Sequence, residues 1–218
     1  MPQYPFQRPT MDGFLREAEE KFSNLFNMPV ADIVDAIRSA SAFFGLAYPK
    51  KVLDISRMQN GGTRVYPLDR TTDEDDVLYY NLSELKMLKI KNKESFSLIM
   101  THECAHRFFQ GWKFPGMNNG QWEQELACDF FMGIRAAMEG MNPQQVMDAL
   151  GRTSGADTHP DGDLRADAIA IGYQLVQNFM AQNKMPTMDD CVKGLNEFLF
   201  SYRTQIYERE EKYLPPKK

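Results

Sequence analysis

The chain has 218 residues, 43% of them hydrophobic and 25% charged, and a formal net charge of −5. That supplies apolar material for one full core, and no repeat, low-complexity tract or linker divides it, so residues 1–218 read as a single domain. Net acidity without a basic patch excludes nucleic acid as an expected partner, and no apolar run approaches the ~20 residues that a membrane helix needs.

The first residues, Met1-Pro2-Gln3-Tyr4-Pro5-Phe6, lack the charged-then-apolar layout of a signal peptide, and the three cysteines at 104, 128 and 191 form no disulfide framework. A cytoplasmic location is therefore expected, with residues 1–10 as a flexible tail rather than a pro-segment occupying a cleft. Helical patterns follow from Met11 to Phe26 and from Pro29 to Phe44. Two short β-type runs come next, Thr63 to Leu68 and Asp76 to Asn81, joined by an acidic stretch that reads as a solvated loop. They are expected to be adjacent antiparallel strands. Residues 95–112 are apolar on nearly every side except at His102, Glu103 and His106, which predicts a buried helix entered at Asn92 and stopped at Gly111. A second helix is expected over 121–139, with apolar positions at Trp122, Leu126, Ala127, Phe130, Phe131 and Ile134. Further helical patterns run from Pro143 to Leu150, Leu164 to Gln182 and Thr187 to Tyr207, before a polar tail over 208–218. The expected fold is α+β: mostly helical, with a small antiparallel sheet ahead of the 95–112 helix. The fourteen methionines read as adaptable core filler.

Chemistry concentrates at His102-Glu103-Cys104-Ala105-His106. An H-E-x-x-H stretch on a helix projects two imidazoles from one face, one turn apart, with a glutamate beside them, which suits two zinc ligands and a general base. Only three histidines occur in the chain, so two at this spacing are unlikely to be chance. The bland reading is a pair of core histidines bonded to backbone carbonyls. Catalytic zinc takes three protein ligands and leaves a position for water, so a third ligand must come from elsewhere. Glu125 and Asp129 lie four apart on one face of the next helix. Glu125 would bind the metal and Asp129 would take the outer N–H of a ligand histidine, fixing its tautomer. Glu123 competes as ligand but has no acid four residues on. The alternative for these acids is a solvated helix face.

With the third histidine, in His159-Pro160 followed by Arg165, the order and spacing of residues 102–165 resemble the gluzincin metallopeptidases, and most closely soluble relatives of the HtpX and CAAX-prenyl-protease family, the minigluzincins. The resemblance implies a zincin-like domain that cleaves peptide or protein substrates with Zn2+ held by His102, His106 and Glu125. Glu103 would take the proton of the metal-activated water and pass it to the leaving amine. His159 would steady the reaction oxyanion and Arg165 would orient it; Pro160 suits a helix's first turn, which sets His159 at the positive end of the helix dipole. The plain alternative for His159 is a surface histidine in a Gly/Asp-rich turn. By the same resemblance, Tyr79, Tyr80 and Asn81 would line a sheet edge that pairs with extended substrate, although tyrosines in strands are commonly just β-formers. The family's best-known members are membrane enzymes, whereas this chain carries no apolar run of that length.

Three other readings compete. A structural Cys/His zinc site could use Cys104 and Cys128, but Cys104 is turned toward the opposite helix face from the histidines and such a site leaves Glu103 unexplained. A regulatory protease similar to ImmA lacks the His-Pro-x-x-x-x-Arg element. A non-catalytic zinc-binding module has no need of a base at Glu103.

Overall fold

A computed structural model describes residues 29–46, 51–54, 64–66, 77–80, 88–90 and 92–214. Six helices follow one another: α1 (Val30–Phe43), α2 (Lys93–Phe108), α3 (Gln121–Met138), α4 (Gln144–Leu150), α5 (Gly162–Met180) and α6 (Met188–Glu210). They make the described body 67% helical, and the described strands beside it are three segments of three or four residues each, so the expected α+β fold is overturned in favour of a helical one. The physical reason is that core-forming positions recur at helical spacing from α1 to α6, and the described core is drawn from these helices and their connections.

Between α1 and α2 lie three short strand segments: β1 (Lys51–Asp54), β2 (Arg64–Tyr66) and β3 (Val77–Tyr80). Their backbones pair in the order β1-β3-β2. β2 runs antiparallel to β3 but β1 runs parallel to it, so the pairing is mixed, not the antiparallel arrangement expected. The segment Lys51–Asp54 was not anticipated as a strand. Its presence places β3 in the middle, which corrects the expectation that Tyr79 and Tyr80 line an edge open to substrate. Their side chains, and the whole of Asn81, lie outside the described residues, as do the helix expected over 11–26 and the tail expected over 1–10.

Helix α2 is the buried axis. Asn92 caps it, its side chain accepting the Ser95 N–H at 2.8 Å, and every residue from Ser95 to Ala105 is buried. Gly111, at φ +74°, turns the chain away. Arg135 of α3, fully buried, ties the axis to its neighbours. Its guanidinium donates to Ser97 O and Thr101 Oγ1 on α2 and to Ser39 Oγ on α1, and pairs with Glu139.

The closest packing joins α3 to α5. A Cβ on Gly133 would lie 1.9 Å from the Ile169 carbonyl oxygen, and one on Gly172 would lie 2.1 Å from that of Phe130. Glycine at both crossing points lets the two backbones touch. Pro160 precedes α5 rather than opening it: Asp161 is the N-cap and Gly162 the first helical residue. Helix α6 starts with a capping box between Thr187 and Asp190. It continues to Glu210, and the chain stays packed through Tyr213, where a polar tail was expected from 208. Among the described residues no helix is long and apolar enough to cross a membrane.

Candidate metal centre

The one-turn spacing of His102 and His106 on α2 puts their Nε2 atoms 3.1 Å apart. Helix α3 crosses beside them and delivers Glu125, one carboxylate oxygen to each ring: Oε2 lies 3.2 Å from His102 Nε2 and Oε1 3.3 Å from His106 Nε2. These side chains are 7%, 25% and 12% exposed in the order His102, His106, Glu125, so the cluster is sheltered and opens on the His106 side.

Their spacing can be tested against a metal. A tetrahedral ion with N and O ligands at 2.0–2.1 Å has ligand-to-ligand edges of about 3.3–3.4 Å. The three measured separations fall within about 0.3 Å of that. In addition, Glu125 Oε2 is buried and, although His102 Nε2 lies 3.2 Å away, it makes no hydrogen bond of good geometry, so it is available to ligate an ion. Among the described residues, His102, His106 and Glu125 are the group that could hold a metal ion.

Behind this triangle stands a chain of charge. His102 Nδ1 lies 2.8 Å from Asp129 Oδ1. Burial works against the Asp129 carboxylate, but the Arg165 and His102 charges outweigh it and hold its pKa below the ordinary range. An ionised carboxylate only accepts, so Nδ1 carries the proton and donates it, leaving His102 Nε2 directed at Glu125. Arg165, sent across from α5, grips Asp129 with two bonds, Nε to Oδ2 at 2.7 Å and Nη2 to Oδ1 at 3.0 Å. The arginine expected to orient His159 thus makes its described hydrogen bonds to Asp129, and through it steadies His102. Burial also opposes the charge on His102, yet Asp129 and Glu125 push its pKa up to about 10. The Glu125 carboxyl is driven the other way, well below its usual value, because the two imidazoles outweigh its burial.

Glu103 is buried next to His102, and its charge acts on Arg165, Cys104 and Cys128, which places it in the same electrostatic cluster. His159 stands at the open side, half exposed, with Nε2 3.7 Å from Glu125 Oε2 and Nδ1 2.8 Å from Thr158 Oγ1. Burial lowers its pKa below the ordinary histidine value, with Arg165 among the causes, which favours the neutral ring. The histidine, acidic and arginine side chains of the H-E-x-x-H, Glu-x-x-x-Asp and His-Pro-x-x-x-x-Arg elements therefore gather in one cluster.

Neither cysteine joins them. Cys104 faces α1, its Sγ 3.7 Å from Ser41 Oγ, and burial raises its thiol to about 11. Burial also raises that of Cys128 well above its usual value. Among the described residues, neither sulfur belongs to the group of ligand atoms that lie within 4.8 Å of one another. Glu123, the rival ligand, is on the far side of its helix turn, fully buried beside the Tyr207 hydroxyl. Its burial was not legible in the sequence, because nothing there distinguishes it from a surface acid.

No family model, no curated protein and no solved structure matches this chain. The function must be argued from the site.

Proposed function

We propose that this protein is a zinc-dependent endopeptidase of the gluzincin type. The observation that carries the proposal is the convergence of two imidazoles and one carboxylate at near-tetrahedral edge lengths, with an ionised aspartate fixing the tautomer of one imidazole. Two neutral-nitrogen donors and one oxygen donor suit zinc among the common ions, and a three-ligand protein set leaves a position for water. When bound, zinc supplies Lewis acidity and a water acidified toward neutrality.

The chain's own groups supply the rest. Glu103 is the base that takes the water proton and returns it to the leaving amine. His159, kept neutral, offers an Nε2–H donor at the open side of the site, where it can meet the oxyanion of the tetrahedral intermediate. Arg165 and Asp129 hold His102 in place and touch no substrate. This division of labour favours peptidase chemistry over a binding module, because a metal held only for structure has no use for Glu103 or a half-exposed His159.

Metal content and cleavage of a quenched peptide library or casein test the proposal together. The wild type should carry one zinc per chain and cut. Glu103→Gln should keep the zinc and lose activity by about 10²-fold or more, while Glu125→Ala should lose both. Zinc that survives Glu125→Ala, or cleavage that survives Glu103→Gln, would overturn the assignment.

A further inference from the structure

Thr158, which the chemistry above leaves without a task, touches the His159 ring from the side away from the metal centre. Its Oγ1 lies 2.8 Å from Nδ1, while Nε2 looks toward Glu125 Oε2 at 3.7 Å. A neutral imidazole carries one proton, so one nitrogen donates and the other accepts. A hydroxyl can serve in either role, and the bond to Thr158 taken alone leaves the tautomer open. The other nitrogen decides it. Glu125, a carboxylate set between two imidazoles, only accepts, so a proton on His159 Nε2 faces it favourably where a lone pair would be repelled. Nδ1 is then bare, and the Thr158 hydroxyl is its donor. The arrangement reverses that of His102, where Asp129 accepts at Nδ1 and leaves the Nε2 lone pair for a metal. An acceptor behind the ring makes a ligand, and a donor behind the ring makes a hydrogen-bond donor.

We infer that Thr158 is a positioning residue for the oxyanion site: its hydroxyl donates to His159 Nδ1 and so keeps the ring's one proton on Nε2. The purpose of this device rests on the endopeptidase reading; its geometry does not. In the other tautomer a lone pair would face the open side of the centre. Such a ring would repel the oxyanion it is meant to steady, and would offer the group of His102, His106 and Glu125 a fourth protein donor in the position left for water. Because His159 is half exposed, water can supply part of what the hydroxyl gives, so losing Thr158 costs less than losing the histidine itself.

The chain has three histidines, so selective nitrogen-15 labelling of histidine in the full-length protein gives three ring signals, and their comparison with His159→Gln assigns the one that matters. Long-range proton–nitrogen spectra, taken above the ordinary histidine pKa, should show His159 protonated on Nε2 and bare on Nδ1. Thr158→Ser, which keeps the hydroxyl, should preserve both that pattern and turnover. Thr158→Val, of similar shape without the hydroxyl, should shift the ring toward a protonated Nδ1. Its kcat for a quenched peptide should fall about five- to tenfold, with KM and the zinc content unchanged. A wild-type His159 protonated on Nδ1, or a His159 that keeps its wild-type tautomer in Thr158→Val, would sink the inference. The spectra need no substrate, so a wild type that shows the expected tautomer yet cuts no peptide overturns the endopeptidase reading and leaves the role of Thr158 on the ring standing.

Discussion

Asp129 decides how the histidine beside it behaves. With its carboxylate pinned by Arg165 and directed at Nδ1, and Glu125 facing Nε2, His102 in the metal-free protein sits between two negative charges and holds its proton up to a pKa of about 10. The sign follows from linkage. A folded-state value raised above the ordinary 6.5 stabilises the metal-free fold fully below pH 6.5, and that contribution is lost as pH rises through about 10. A metal ion must displace the Nε2 proton, so at pH 7 zinc uptake by the wild type should release close to one proton from His102. Asp129→Asn removes the charge that retains this proton and leaves one amide oxygen where two carboxylate oxygens serve both His102 and Arg165. It should weaken zinc binding about 10- to 100-fold and release clearly fewer protons, read by calorimetry in buffers of different ionisation heat. Equal proton release in the two proteins would show that Asp129 does not govern His102.

At the scale of the elements, the site exists because α3 and α5 touch backbone to backbone. Gly133 and Gly172 permit the contact, and the contact lets Arg165 reach across to Asp129. Gly172→Ala puts a methyl carbon 2.1 Å from the Phe130 carbonyl oxygen, and a backbone carbonyl cannot swing aside as a side chain can. The helices must part, at a cost of about 3 kcal/mol or more. That should lower the melting temperature by roughly 6–12 °C and loosen zinc along with it; a melting temperature within about 2 °C of wild type would show the crossing to be more forgiving than its geometry. Much of this was legible in the sequence. Asn92, the apolar run of 95–112 and Gly111 marked α2, and the spacing of Glu125 and Asp129 put both acids on the correct face. What could not be read was cross-helix partnership. Nothing in the local pattern says that Arg165 grips Asp129, or that the two glycines mark a crossing, because each depends on which helix lies opposite. The small sheet was misjudged for a related reason: Lys51–Asp54 is too short and too charged at its ends to announce itself as a strand, so β3 was left with a false free edge.

Over the whole molecule, the end of the chain returns to brace the loop that carries His159. Tyr213 Oη donates to Asp161 Oδ1 at 2.8 Å, and the same oxygen accepts the Gly155 N–H at 3.1 Å. The Tyr213 ring lies over Gly155, where a Cβ would come within 2.9 Å of it. From α6, Arg209 grips Asp163 at 2.7 Å and lies 3.6 Å from Asp161. From α3, Trp122 Nε1 donates to the Ala156 carbonyl at 2.8 Å. The loop over 154–161 is thus held from α3, from α6 and from Tyr213 beyond it, while the candidate metal ligands come from α2 and α3. Weakening the brace should therefore separate two properties that mutations at the metal would change together. Tyr213→Phe combined with Arg209→Ala removes the contacts from α6 and leaves His102, His106, Glu125 and their supporting charges untouched. Amide exchange across 154–160 should rise, zinc content should stay at one per chain, and peptide turnover should fall because His159 no longer dwells where the oxyanion forms. Faster exchange with undiminished turnover would remove His159 from the reaction, and unchanged exchange would show that α6 does not hold the loop.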